Sequence, residues 1–245
     1  MIVGELRVLQ VGPLAMMDQS KPKNTKASRL VDRLREAILT GEFGPGSKIN
    51  LEHVRRDFDV SLSPLREALA RLATQGLVEF HDNRGYTVAP VSLGNLAEIT
   101  RLRAEFDCQA LQAATANGDL EWESDVMRAL HRLNRTARDP ADRRTPGAGL
   151  EAWERAHREF HMALLAGSGM KLLLGFCATL YDLNDRYRRA VPAAACGDRD
   201  VAAEHGEIAH GAVARDADYC CRKLRQHIER TGRDLRARLA GGIPP

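Results

Sequence analysis

The sequence predicts a mainly α chain: three helices closed by a β-hairpin, then an all-α bundle of six to seven helices. Three observations predict it. Aromatic residues are only 5% of the 245 residues while apolar residues reach 44%, so a core must rest on Leu, Ala and Val. From Ala27 onward, apolar residues recur at i, i+4, i+7 and i+8, which is the period of a helix face. Beyond Pro90 that period dominates, and its breaks fall at Gly-, Asn- and Asp-rich joints.

Residues 1–26 are irregular and end in a polar run, Asp18 to Lys26, which reads as a flexible tail. Leu30, Leu34, Ala37 and Ile38 form the stripe of the first helix, stopped by Gly41 and followed by the turn Gly44-Pro45-Gly46. Lys48-Ile49-Asn50 is a short extended piece, with Asn50 placed to cap a second helix running to about Phe58. Ser63 as N-cap and Pro64 as first helical residue predict a third helix, with Leu65, Ala68, Leu69 and Leu72 on its buried face. After Gly76, Leu77–Phe80 and Tyr86–Ala89 alternate as strands joined by Asp82-Asn83-Arg84-Gly85, a hairpin. This order over residues 27–91 is the layout of a winged helix-turn-helix.

A second, all-helical region spans 92–240, with segments at about 94–117, 120–138, 150–167, 170–190, 200–215 and 217–240, and a tail at 241–245. No run of about 18 apolar residues exists, so a membrane span is not expected, and the start of the chain is a poor secretory signal. Five cysteines without a C-x-x-C pair read as reduced thiols, which points to the cytoplasm.

Formal charge excludes a polybasic protein. The chain carries +3, and residues 27–91 balance nine basic against nine acidic side chains. Contact with double-stranded DNA therefore depends on placed side chains. The start of the third helix supplies them: Ser61 and Ser63 can reach phosphate, and Arg66 suits a bidentate contact to guanine. Arg84 at the hairpin tip, beside Gly85, can reach phosphate or the minor groove. From periodicity alone, a protein–protein module is an equal alternative.

The run from Val60 through Ser61-Leu62-Ser63-Pro64-Leu65-Arg66-Glu67-Ala68 to Glu79, closing in Asn83-Arg84-Gly85-Tyr86-Thr87-Val88-Ala89-Pro90, resembles the DNA-binding domain of GntR-family bacterial transcription regulators. So do Leu34 to Glu42 and the Pro45-Gly46-Ser47-Lys48-Ile49 turn. Many members carry Arg where this chain has Leu62, which implies either an altered base preference at one operator position or a methyl contact to thymine in place of a hydrogen bond. The resemblance also implies a homodimer that sets two reading helices on a short inverted repeat, most often as a repressor.

His157 and His161 are spaced i, i+4 and share a helix face, a natural pair of nitrogen ligands for a divalent metal. His205 and His227 fall on two consecutive helices that an antiparallel hairpin would bring level. Periodicity leaves the convergence of all four open. Phe160-His161, Glu204-His205 and His227-Ile228 resemble the FCD-type effector domain of the FadR subfamily, in which an Asp and three His commonly bind a metal beside a small carboxylate effector. The resemblance implies His161, His205 and His227 as ligands, with His157 at the Asp position. Either His157 ligates, giving four neutral imidazoles suited to Zn or Ni, or a three-His site keeps more water. A site without the Asp retains +2 and attracts an anionic effector more strongly.

Arg103, followed by Asp107, matches an arginine the family keeps, and implies a pair with the effector carboxylate. Arg186, Tyr187 and Arg188 are weaker candidates on a helix expected to wall the same bundle. The run Asp182 to Arg189 resembles regulators of carboxylate and amino-acid catabolism, implying a dicarboxylate of about glutarate size. A metal-dependent hydrolase is the rival class, but the residue after His157 is Arg158, where a zincin helix needs its general-base Glu, and Glu159 should point away. A regulator that senses the metal without an organic effector is a further alternative.

Overall fold

The computed structural model describes residues 26–136, 148–190 and 200–241. The expected tail thus lies outside the described residues up to Lys26, as do residues 242–245 and Cys196. Helices α1 (Lys26–Leu39), α2 (Leu51–Asp57) and α3 (Leu62–Thr74) lead into an antiparallel hairpin of β1 (Val78–His81) and β2 (Gly85–Val88). The stripe Leu30, Leu34, Ala37 and Ile38 of α1 packs on Leu65, Ala68, Leu69 and Leu72 of α3, and one apolar core unites them with Val54, Leu77, Val78 and Val88.

Asn50 caps α2 by accepting from the backbone N–H of Glu52 and His53 at 3.0 and 3.2 Å. The start of α3 differs from expectation. Ser61, not Ser63, occupies the N-cap, so Ser63 and Pro64 lie within the first turn. Proline is tolerated there because first-turn N–H groups have no intrahelical partner to lose. The strands sit one residue closer to the hairpin tip than expected, with Val78 opposite Val88 and His81 opposite Gly85. Asn83 (φ 64°) and Gly85 (φ 82°) make the reversal, and Gly85 meets that angle without a side-chain penalty. Lys48 pairs antiparallel with Thr87, so the extended piece braces the hairpin from its outer edge.

The second region contains α4 (Leu93–Asn117), α5 (Leu120–Arg135), α6 (Ala148–Ala166), α7 (Lys171–Ala190), α8 (Val201–Val213) and α9 (Ala217–Ala240). All six correspond to the segments expected from periodicity. Their shared core is mostly aliphatic, as the low aromatic content requires, and includes Leu111, Val126, Phe160, Leu164, Ile208 and Leu224. Helices α4 and α9 run antiparallel in close contact, with Thr100 beside Gly232 and Glu105 bonded to Arg225 at 2.8 Å.

Helix α7 joins the two cores. Its residues Leu183, Arg186 and Tyr187 (i, i+3, i+4) face the junction. Leu183 packs on the core of the first region, and Arg186 donates to the Ala89 carbonyl at 3.0 Å. The Tyr187 hydroxyl accepts from the Ser92 N–H at 3.1 Å and lies 2.8 Å from Asn95 Oδ1. Tyr181, Asp185 and Arg188 (i, i+4, i+7) face the bundle instead.

The fit of α4 on α9 is tight enough to test. A Cβ on Gly232 would stand 2.5 Å from both Cγ2 and Oγ1 of Thr100. We expect Gly232→Ala to lower the stability by about 1–3 kcal/mol through overpacking, although Ala is the better helix former by about 1 kcal/mol. In a Thr100→Ala background the cost should shrink, because only the 3.1 Å contact with the Thr100 Cβ remains. Thermal melts of the four proteins check this, and an equal cost in both backgrounds would contradict the close packing.

Candidate metal centre and nucleic-acid interface

Three helices bring the four histidines together. His157 and His161 project from α6, His205 from α8 and His227 from α9, and all four are buried. One nitrogen of each lies within 4.8 Å of the others. His157 Nε2 and His161 Nε2 are 3.1 Å apart. Two nitrogens bound at 2.0–2.1 Å to a tetrahedral zinc would be roughly 3.3 Å apart, so this edge already has a ligand-like span. The sequence leaves the convergence of the four open, and the fold answers it.

On His227 and His157 the outward nitrogen is engaged, as at a ligand imidazole. His227 Nδ1 lies 2.8 Å from Glu204 Oε2, and Arg230 holds the other oxygen of that carboxylate at 3.0 Å. A proton on Nδ1 puts the lone pair on Nε2, the arrangement that fixes tautomer and raises basicity at metal-binding histidines. His157 Nδ1 lies 2.6 Å from the Tyr181 hydroxyl, and the indole of Trp153 stacks on the same imidazole at 4.5 Å. Glu204, Tyr181 and Trp153 carry no sequence signal for this role, apart from Glu204 adjoining His205.

Electrostatics favour neutral rings. Burial, then the neighbouring His161 and Arg188, holds His157 well below the usual histidine range. Burial, then His227 and His205, does the same to His161. A neutral imidazole is the protonation state a divalent metal needs. The donor set fits a borderline metal such as Zn or Ni.

The four expected effector residues separate into two pairs. Arg103 and Arg188 flank Tyr181, with guanidinium carbons 5.0 and 4.9 Å from its ring centre. Arg103 is buried and bonds Asp107 at 3.1 Å. Arg188 is held by Glu154 at 2.9 Å, Asp185 at 2.8 Å and the Tyr181 hydroxyl at 3.1 Å. Arg186 and Tyr187 are not at the cluster. One hundred degrees per residue turns them to the junction, where their bonds go to Ala89, Ser92 and Asn95. Glu159 does point away from the histidines, to Arg132 at 2.6 Å, and Arg158 turns to Asp182 at 2.9 Å.

At the other end of the molecule, Leu62 and Arg66 of α3 meet Arg84, Gly85 and Tyr86 of the hairpin around an open cavity of about 590 Å3. Lys48 also lines it, a cation that sequence reasoning missed because its backbone pairing with Thr87 places it there. Ser61, Ser63, Arg66 and Arg84 are exposed, while Leu62 and Gly85 are half-buried. Ser61 and Ser63 do not line the cavity.

A helix-turn-helix with a hairpin wing, fused to a helical bundle holding a buried polar cluster, is the layout of a DNA-binding transcription regulator. Comparison with known proteins agrees. Residues 26–88 match bacterial regulatory proteins of the gntR family, and residues 98–230 match the FCD domain. The chain belongs to the GntR family, with an FCD domain of the FadR type. It is 36% identical over 201 residues to the uncharacterized HTH-type transcriptional regulator BphR of Paraburkholderia xenovorans (strain LB400), covering 80% of each chain. It is 31% identical over 199 residues to the HTH-type transcriptional repressor GlaR of Escherichia coli (strain K12), covering 80% of this chain and 89% of that one. The fold matches the solved structure of E. coli McbR/YncC with a TM-score of 0.73 at 20% identity, over 86% of this chain and 97% of that one. These relatives are regulators of transcription, not enzymes. Among the described residues, no helix is long and apolar enough to cross a membrane.

The depressed histidines set a pH dependence. The folded protein takes up these protons less readily than the unfolded chain, so their contribution is intact above about pH 6.5 and is lost as pH falls below it, by up to about 1.4 kcal/mol per pH unit per histidine. Melts of chelator-treated protein should therefore lose Tm steadily between about pH 7 and pH 5. His161→Asn should flatten that slope, and an unchanged slope would contradict a neutral buried pair.

Proposed function

We propose that this chain is a homodimeric repressor whose grip on DNA is released by a small carboxylate bound beside a metal held by His157, His161, His205 and His227. The observation that carries the reading is the convergence of four buried imidazoles, with two of them fixed from outside by Glu204 and Tyr181. Repression is supported by the name of GlaR, and dimerisation by the logic of inverted-repeat operators.

In this reading residues 27–91 read DNA and residues 92–240 bind the ligand. Arg66 enters the major groove with the start of α3, and Arg84 and Lys48 meet the backbone. Leu62 offers an apolar contact, suited to a thymine methyl. Ser61, Ser63 and the backbone around Gly85 approach phosphate.

A divalent ion bound by four neutral imidazoles would supply an uncompensated positive charge that draws an anion into the bundle. Arg103 is the second anchor. It faces one carboxylate, Asp107, whose own charge burial opposes. Arg188 already has two carboxylates and is better suited to hold Tyr181 in place than to bind effector. A dicarboxylate of about glutarate size would span the two positive centres.

The signal has a short path. Tyr181 touches His157, and the next residue, Asp182, pairs with Arg158 at 2.9 Å and with Arg35 of α1 at 3.4 Å. A rotation of α7 that accommodates effector at Tyr181 would trade one of these partners against the other and shift α1 under the reading helix. The ligand works this way only by binding the two arrangements with different affinity.

A second reading is favoured by the fourth histidine. Four protein ligands close a tetrahedral site, so the metal itself would be the signal. The two readings differ in what changes operator affinity: a carboxylate at fixed metal, or metal alone.

Elemental analysis tests the core of the proposal. We expect about one metal per chain, lost in His161→Ala; no metal in either protein, even after incubation with zinc, would abandon the metal-gated site. For the interface, fluorescence anisotropy on operators selected from random DNA should show Arg66→Ala losing about 1–3 kcal/mol and relaxing preference at one base pair. Arg84→Ala should weaken all sequences alike and lower the salt slope by about 1. Equal, sequence-independent losses for both would remove Arg66 from base reading.

A further inference from the structure

Away from the histidines, α4 and α9 bring two thiols face to face. Each sulfur of Cys108 and Cys221 lies 3.4 Å from the other residue's carbonyl oxygen. The helices are antiparallel there, so the side chains cross in the contact zone rather than pointing apart. The two differ in access. Both line one surface cavity of about 350 Å3 with Gln109, Gln112, Arg222 and Arg225, but Cys108 is buried and Cys221 is only half-buried. A small oxidant entering that cavity meets the more exposed sulfur, Cys221, first.

We propose that Cys221 and Cys108 form an oxidisable dithiol that a hydroperoxide converts to a disulfide between α9 and α4. The Cys221 thiolate attacks one peroxide oxygen; the S–O bond forms as the O–O bond breaks, and an alcohol or hydroxide leaves. The Cys108 sulfur then attacks the Cys221 sulfur, the S–O bond breaks, and the Cys108 proton departs with the oxygen as water. Two thiols and one hydroperoxide thus give one disulfide, one alcohol and one water.

The division of roles follows from the surroundings. Hydrogen bonds from the Cys108 and Cys220 thiols, with the Arg225 guanidinium nearby, push Cys221 down to about 4, and the nucleophile of this chemistry is a thiolate. The same contact and burial push Cys108 up, which keeps it protonated while Cys221 reacts first. Cys220 is excluded as the resolving partner. Consecutive Cα atoms are about 3.8 Å apart, below the roughly 4.4–6.8 Å that disulfides span, and a vicinal bond would break α9. Cys177 sits by Asp107, where burial and that carboxylate raise its thiol and make it a poor first target.

The test uses the full-length protein, reduced and then treated with one equivalent of tert-butyl hydroperoxide. After the remaining thiols are alkylated, peptide mapping should find a Cys108–Cys221 link within one chain, reversed by dithiothreitol. Cys221→Ser should abolish the link, and Cys108→Ser should leave a sulfenic acid at Cys221 that dimedone traps. Should either variant fail to fold, graded iodoacetamide labelling of the unaltered protein must modify Cys221 ahead of Cys108, Cys177 and Cys220. A first oxidation at Cys177 or Cys196, a link between two chains, or alkylatable Cys108 and Cys221 after the oxidant is consumed would overturn the proposal.

Discussion

Four imidazoles share one buried space in this protein, where burial and the neighbouring rings and cations hold His157 and His161 in the neutral form, with a single ring proton each. A charge buried there would lack water and would face three more rings, each able to become charged. The arrangement therefore depends on keeping the rings neutral and correctly turned. Glu204 orients His227, Tyr181 meets His157, and Trp153 covers the His157 face. Much of the surrounding polar network exists to hold those groups: Arg230 steadies Glu204, while Arg188, anchored by Glu154 and Asp185, steadies Tyr181. Burial pushes Glu154 upward and Arg188 opposes it, so the pair is stable only as a unit.

Helix α7 carries the consequences of that cluster outward. One face delivers Tyr181 and Arg188 to the histidines, and the opposite face delivers Leu183, Arg186 and Tyr187 to the junction. A stiff helix cannot rotate one face without moving the other. Asp182 lies between the two faces and answers to cations from both regions. In the proposed mechanism the coupling is therefore a property of helical geometry rather than of a chain of soft contacts.

The fold is legible in the sequence wherever an apolar period and a stop signal coincide. Leu30, Leu34, Ala37 and Ile38 with Gly41 define α1, and the Asn117-Gly118-Asp119 joint separates α4 from α5. The start of α3 is less legible, since Ser61 and Ser63 offer the same chemistry and Pro64 is tolerated at more than one first-turn position. The pair His157 and His161 is readable because four residues make one turn. Their meeting with His205 and His227 is not, because it depends on how three helices pack. Arg186 and Tyr187 mislead for a related reason: adjacent residues on a helix face different neighbours, and residue type alone does not say which.

The junction has a consequence for modular engineering. Arg186 reaches a backbone carbonyl at Ala89, a contact that accepts almost any side chain on the other partner, while Tyr187 holds Ser92 and Asn95, which belong to the bundle itself. Leu183 and Asp182, in contrast, meet side chains of the first region: the apolar core and Arg35. A chimera carrying a relative's DNA-reading region on this bundle would therefore inherit half of its joint without redesign. The other half rests on these two α7 positions together with Arg155 of α6, 3.8 Å from Glu36, and Val91, packed on the cluster that holds Tyr187, which makes the graft a small combinatorial problem.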